Sequence, residues 1–186
     1  MRYPLFLDLA EQPAVVIGAG SVATRKIRSL LAAGARVTII SPEATPALKR
    51  LVEAASPPRL GIKRYRGGDA VPTVLIRWLR RRYRRGDLRG ARLVIAATDD
   101  LEVNQAVCVE AKRRGLLVNC VAPPAAGNFI VPSLVRRGGV TLAISTGGTS
   151  PAFAKRLRRD LERFLGDEYP ALLKKMAKQR RARKHA

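Results

Sequence analysis

Three short stretches of this chain hold residue types at a spacing that can do chemistry. The first is Gly18-Ala19-Gly20-Ser21-Val22-Ala23, set after the apolar run Ala14-Val15-Val16-Ile17 and before a helical pattern. A strand that runs into a glycine turn lets backbone N–H groups approach a pyrophosphate, and the next helix aims its positive end at that anion. GxGxxA alone also describes a plain tight turn. The strand before it and the helix after it are the context a dinucleotide site requires. The second stretch is Ala97-Thr98-Asp99-Asp100. One of its aspartates reads as a helix cap, and Thr98 with the nearby backbone is placed to line the nicotinamide side of a cofactor crossing a sheet. The third is Ser145-Thr146-Gly147-Gly148-Thr149-Ser150-Pro151, hydroxyls and glycines leading into a helix start. Backbone N–H groups in such a loop hold carboxylate or phosphate, and a simple connecting turn is the alternative. The only histidine, His185, lies in the basic tail, so no histidine-based metal site or catalytic triad is expected, and no metal is assigned.

The elements that must position these residues alternate. Apolar runs at 13–18, 36–40, 60–65, 92–97 and 116–121 read as strands, with helical patterns at 20–33, 43–55, 70–85 and 100–114 between them. That order predicts a parallel sheet with crossover helices. In the first helix Ile27, Leu30 and Leu31 share a face and Gly34 is the stop; the fourth closes on Lys112-Arg113-Arg114-Gly115. In 70–85, Val74, Leu75, Trp78 and Leu79 among arginines read as a basic amphipathic helix. After Asn119 the character changes. Strand-like pieces at 128–131 and 140–144 flank a turn at Arg136-Arg137-Gly138-Gly139, and such a hairpin must pack on the first domain or on another chain. Ser150-Pro151 then starts a helix with Phe153, Leu157, Leu161 and Phe164 at helical spacing.

With 186 residues, 47% of them hydrophobic, the chain can bury one ordinary core and a smaller appendage. No apolar run reaches the roughly 18 residues of a membrane span. The start, Met1 to Asp8, has too short an apolar stretch and too early an acid for a secretory signal. Cys108 and Cys120 read as buried free thiols in a reducing cytoplasm. The formal net charge is +22. Eight arginines stand between Arg77 and Arg92 against Asp87 alone, and twelve Lys/Arg between Lys155 and Lys184 against four acids. Such a field draws polyanions, whether nucleic acid, an anionic surface or a small polycarboxylate; a solvated, salt-bridged surface is the plainer alternative.

Read in order, YPLFLDL, VVIGAGSVATRK, GARVTIISPE, GDLRGARLVIAATDD, VN, NFIVPS and LAISTGGTSPAFAKRLR resemble the dehydrogenase and ferrochelatase family of siroheme synthesis. These are the precorrin-2 dehydrogenases, including the N-terminal part of siroheme synthase, and the likeness covers nearly the whole chain. It implies an α/β fold: a Rossmann-like parallel sheet over 1–118 that binds NAD, a small β dimerisation and active-site region over 119–148, and a C-terminal helical domain over 149–186. It also implies a homodimer in the cytoplasm, with precorrin-2 as a polycarboxylate substrate oxidised to sirohydrochlorin and, in some members, iron insertion afterwards.

Carried over residue by residue, the resemblance places Ser21 and Val22 at the pyrophosphate, beside Gly18 and Gly20 of the glycine turn. It sets Pro42 and Glu43 near the adenosine ribose, next to Ser41; Thr98 keeps its place by the nicotinamide, and Asn119, Ser145, Thr146 and Gly147 are candidates for the substrate side. The usual acid at the end of the second strand is replaced by Ser41 with Glu43 just beyond, and no arginine follows until Arg50, so NAD is favoured over NADP. One departure stands out. The family's acid/base aspartate falls three residues after Asn119, where this chain has Ala122. An alanine moves no proton, so the catalytic group is unknown and chelation is placed in doubt, while general acid–base help worth about 10²–10⁴-fold is lost. The rival from another class is a non-catalytic nucleotide- or tetrapyrrole-binding sensor or carrier on the same fold. A nucleic-acid binder has the charge but not the aromatic interleaving, since aromatics are 5% of the chain, so only non-specific attraction is expected.

Overall fold

A computed structural model of the protein describes residues 2–55, 75–166 and 168–183. The chain divides into two compact units, one of residues 4–130 and one of 131–186 with the first three residues.

In the first unit, β1 (Pro13–Ile17), α1 (Ser21–Ala32), β2 (Arg36–Ile40), α2 (Pro46–Ala55), β3 (Ile76–Leu79), β4 (Leu93–Ala96), α3 (Leu101–Arg113) and β5 (Leu117–Cys120) follow in order. The five strands form one parallel sheet in the order β3-β2-β1-β4-β5. Alternate residues of β1 go to opposite faces. Ala14 and Val16 join Val37, Ile39 and Ile95 beneath Ala23, Ile27 and Leu30 of α1 and Leu48 of α2. Val15 and Ile17 join Ile40, Val94, Ala96 and Val118 beneath Val107, Cys108 and Ala111 of α3. With both faces covered, the strands read as continuous apolar runs, as buried parallel strands do.

The expected helix over 70–85 is corrected. Ile76–Leu79 is a strand paired with β2, Val37 opposite Ile76 through Ile40 opposite Leu79. Ile76 is buried and Arg77 exposed, the alternation of an edge strand, and a run this short cannot be told from a helix by periodicity alone. The arginine-rich stretch after it is irregular but anchored. Arg81 makes two 2.7 Å bonds to Asp87, and Leu88 is fully buried. Buried Glu110 of α3 accepts from the Tyr83 hydroxyl, the Gly86 N–H and Arg114. Burial alone would raise the Glu110 pKa, but these three donors outweigh it and hold the carboxyl below its usual range. The strand expected at 60–65, like 70–74, lies outside the described residues.

In the second unit, β6 (Ser133–Arg137) and β7 (Val140–Ile144) form an antiparallel hairpin, followed by α4 (Pro151–Phe164) and α5 (Glu168–Ala182). The first strand of the hairpin is therefore 133–137, not 128–131. Asn128 instead ties its segment to β5: its side-chain Oδ1 accepts from the Val118 N–H at 2.7 Å and its side-chain Nδ2 donates to Leu116 O at 2.9 Å. The core of this unit is Val135, Ile144, Ala154 and Leu165, with Leu157 and Leu161 packed on it, while Phe153 and Phe164 are exposed. Among the described residues no helix is long and apolar enough to cross a membrane.

Candidate active site

Beyond the carboxyl ends of β1 and β4 the chain leaves on opposite faces, α1 to one and α3 to the other. In an open α/β sheet this divergence makes the crevice where ligands bind. The two glycines of the β1 turn serve it for different reasons. Gly18 has φ +102°, and a Cβ there would lie 2.2 Å from the Ala97 carbonyl oxygen, so the β1 and β4 loops touch where a side chain is missing. Gly20 has φ −73°, open to any residue, and a Cβ there would meet nothing within 4 Å. What glycine secures at Gly20 is empty space in front of α1. Gly20 is also the N-cap of α1; it supplies no side-chain bond, and the first turn holds no acid. The N–H groups at Ser21 and Val22 therefore start a helix that no side chain caps.

At the end of β2 the Ser41 hydroxyl donates to the Glu43 carbonyl at 2.7 Å, which folds Ser41-Pro42-Glu43 into a turn with Glu43 exposed. The Trp78 indole N–H donates to Ser41 O at 2.9 Å, and the Arg80 guanidinium sits 4.5 Å from the Trp78 ring centroid. The sequence order hides this pair, since β3 reads as helix; pairing with β2 brings a cation to the side where Arg50 was the nearest expected.

The loops after β4 and β5 meet through one side chain. Thr98 donates its N–H and hydroxyl to the Asn104 side-chain oxygen at 3.0 and 2.8 Å, and the Asn104 amide donates to Thr98 O and Ala122 O at 2.9 and 3.2 Å. The Thr98 hydroxyl, N–H and carbonyl are thus all engaged by Asn104, and what Thr98 offers a ligand is its half-buried surface. Asp100 is the α3 cap, accepting from the N–H groups of Glu102 and Val103, while Asp99 is exposed. Asn119 is buried and its amide donates to Phe129 O at 3.1 Å. Cys108 and Cys120 are both free and buried, and burial together with the neighbouring Cys120 pushes the Cys108 thiol up to about 12. Such a thiol is inert.

In the second unit, Ser145, Thr146 and Gly147 form a loop in which Ser145 and Gly147 are exposed and Thr146 is half-buried. The Ser145 hydroxyl accepts from the Gly147 N–H at 3.2 Å, Thr146 bonds both the N–H and carbonyl of Ser150, and Gly147 and Gly148 have φ +68° and +97°. Ser150 caps α4 through the Phe153 N–H. Gly18, Gly20, Ser21, Val22, Ser41, Pro42, Glu43, Thr98, Asn119 and Ala122 lie in the first unit, and Ser145, Thr146 and Gly147 in the second.

Residues 5–133 match the family described as putative NAD(P)-binding, and residues 137–163 match the central region of the sirohaem biosynthesis protein. The chain is 41% identical over 170 residues to siroheme synthase of Methylobacillus flagellatus, covering 91% of this chain and 32% of that protein. It thus spans about a third of the length of the siroheme synthases it matches. The precorrin-2 dehydrogenase of Bacillus subtilis is 30% identical over 178 residues, covering 96% of this chain and 98% of its own length. The chain belongs to the precorrin-2 dehydrogenase family. Its fold matches the solved structure of the precorrin-2 dehydrogenase SirC at 28% identity with a TM-score of 0.73, over 93% of this chain and 76% of that one.

Membership in that family makes the first unit an NAD(P)-binding domain, and its residues fit the group. The space before Gly20, the uncapped start of α1 and the exposed Glu43 carboxylate at the end of β2 match a pyrophosphate and a ribose diol in turn. Asn104 carries no motif that marks it in the sequence. Its signal was a polar residue on the face that Val107, Cys108 and Ala111 give to the core.

Proposed function

We propose that this chain oxidises precorrin-2 to sirohydrochlorin with NAD, and that it inserts iron poorly or not at all. The observation that carries the reading is the near end-to-end likeness to a precorrin-2 dehydrogenase of the same extent, with an open cradle at α1. Gly18, Gly20, Ser21 and Val22 hold the pyrophosphate, Ser41, Pro42 and Glu43 the adenosine ribose, and Thr98 borders the nicotinamide. When bound, NAD accepts the hydride. Asn119, Ser145, Thr146 and Gly147 are assigned to the substrate side, Asn119 acting through the Phe129 carbonyl it holds. Lys155 and Arg159, one helical turn apart and exposed on α4, supply cations for a polycarboxylate. In this reading residues 1–118 carry the cofactor, 119–148 the dimerisation and active-site region, and 149–186 the helical domain.

With Ala122 in place of the family's aspartate, the proton must go to another acceptor. Asp99 is exposed on the same loop as Thr98, with no hydrogen bond or ion pair to its carboxylate among the described residues, and the substrate's own carboxylates are the other acceptors. Dehydrogenation with these weaker acceptors is slower but feasible, whereas chelation must remove pyrrole protons as the metal enters. Anaerobic incubation with precorrin-2 and NAD, then with ferrous iron, separates the steps by absorbance. Ala122→Asp is expected to raise iron or cobalt insertion at least tenfold, with a smaller gain in dehydrogenation. Binding of both ligands without turnover would instead favour the carrier reading that Ala122 also allows.

The protein is further proposed to be a cytoplasmic homodimer. Exposed Val131, Phe153, Phe164, Leu172 and Met176 leave the second unit with apolar surface to cover, and the hairpin is too small to stand alone. The two free thiols suit a reducing compartment. Light scattering at micromolar concentration should give twice the chain mass; an active monomer would contradict it.

A further inference from the structure

We infer that Asn104 is a positioning residue for the hydride step: its amide sets the separation between the Thr98 loop, on the cofactor side, and the loop carrying position 122. This rests on the dehydrogenase reading above. Asn104 is fully buried on α3 among Val107, Cys108 and Ala111, where an apolar residue would be the simpler choice for a core. A side-chain amide offers two donor hydrogens and an oxygen with two acceptor sites. The nitrogen gives both hydrogens, to Thr98 O and Ala122 O, and the oxygen takes the Thr98 N–H and shares the single Thr98 hydroxyl hydrogen with Asp100 O.

The bond to Ala122 lies where the sheet no longer holds the two loops together. The β4–β5 ladder runs to Ala96 opposite Cys120, and the last backbone bond past it joins the Val121 N–H to Ala96 O at 2.9 Å. Among the described residues, the bridge between the Thr98 and Ala122 loops beyond that point is the Asn104 amide. The Cys120 thiol, 3.3 Å from the same Ala122 oxygen, steadies that carbonyl from its own strand without reaching the β4 loop. Asn104 does not cap the helix, a task Asp100 performs. Its role is therefore to set one loop against the other, and misplacement of reacting groups by about 1 Å can cost 10²-fold in rate.

The test uses two variants in the full chain, with kcat and KM for NAD measured anaerobically from pH 5.5 to 8 and divided by the parent's values at each pH. Asn104→Asp keeps the shape. Ionised, it still accepts from Thr98 but repels the two carbonyls it should bond; protonated, it regains a donor. Burial against two carbonyls raises the pKa of such a carboxyl. The titratable groups around it are Asp99 and Asp100 at the loop, Cys108 on α3 and Cys120 on β5, all present in the parent, and division by the parent's values accounts for them. Expected for Asn104→Asp is a kcat about 100-fold below the parent at pH 8 that recovers at least tenfold, relative to parent, at pH 5.5. Asn104→Leu should stay low throughout, and KM for NAD should move less than threefold in both, because the hydrogen bonds of Asn104 go to Thr98 and Ala122 and not to the cradle at Gly18 to Val22. Unchanged NAD binding by calorimetry at pH 8 reports that the variants are folded. Parental kcat in Asn104→Asp, or a loss with no recovery at low pH, overturns the inference alone. A parent that binds NAD but never oxidises precorrin-2 overturns it together with the reading it rests on.

Discussion

Two helices begin at the same edge of one sheet, after the neighbouring strands β1 and β4, and they begin differently. At α3 the Asp100 carboxylate takes two first-turn N–H groups and Glu102 adds a second acid, so the positive end is answered by the chain itself. At α1 the cap is Gly20, with no side chain and no acid in the turn, and open space before it. One helix start is closed and structural; the other keeps its dipole and N–H groups for an anion from outside. The difference favours the α1 loop over the α3 loop for the proposed pyrophosphate site, a choice that the helix dipole alone, common to both, cannot make.

The contrast can be broken most strongly at the glycines. Gly18→Val should destabilise the protein by about 3 kcal/mol or more, from a positive φ and a clash with the Ala97 backbone, as read by denaturant unfolding. Gly20→Val should leave stability within about 1 kcal/mol yet weaken NAD binding at least about 100-fold in calorimetry, roughly 2.7 kcal/mol. If folded Gly20→Val binds NAD as the parent does, the open start of α1 is not the cofactor site.

The closed start sharpens the comparison from the other side. Asp100→Ala should cost about 1 kcal/mol of stability through the lost cap and change NAD affinity by less than about threefold. A large loss of NAD affinity there would show that the two helix starts share the ligand.

The smallest effect concerns the same helix at its far end, where Glu110 is held below its usual pKa. A carboxyl depressed on folding stabilises the folded state above its unfolded pKa, about 4.3, and loses that contribution as pH falls through the folded value. The parent should therefore lose stability below about pH 4.3, and Glu110→Gln should lose less over the same range while being weaker at pH 7. Parallel stability curves for the two proteins would remove Glu110 from the acid response.

Much of this fold is legible before any coordinates. β1, β2, β4, β5 and the helices α1 and α3 fall within a residue or two of their expected limits. Their apolar periodicity, the glycine stop at Gly34 and the acids at 99–100 are signals carried within a few residues of each element. The legible part of the site is equally local: a glycine turn between strand and helix, and hydroxyls before a helix start. What was misread is β3, where Ile76-Arg77-Trp78-Leu79 is too short for its period to speak, and the first hairpin strand, shifted from 128–131 to 133–137 because Asn128 is taken up by β5.

Taken alone, then, the sequence determined the elements whose causes lie within one or two turns of chain: which segments are buried strands, where α3 is capped, where α1 is not. The tertiary structure decided whatever needs a distant partner. It made β3 a strand by giving it β2 to pair with, and it carried Arg80 to the turn at Ser41 on the face of Trp78. It let a carboxylate be buried at Glu110 by bringing Tyr83 and Gly86 to it, and it turned Asn104 from a polar blemish on an apolar face into the link between two loops. The physical reason is common to all four. Periodicity and capping are short-range and written in neighbouring residues, whereas a buried polar group or an edge strand is stable only when groups remote in the chain supply its hydrogen bonds.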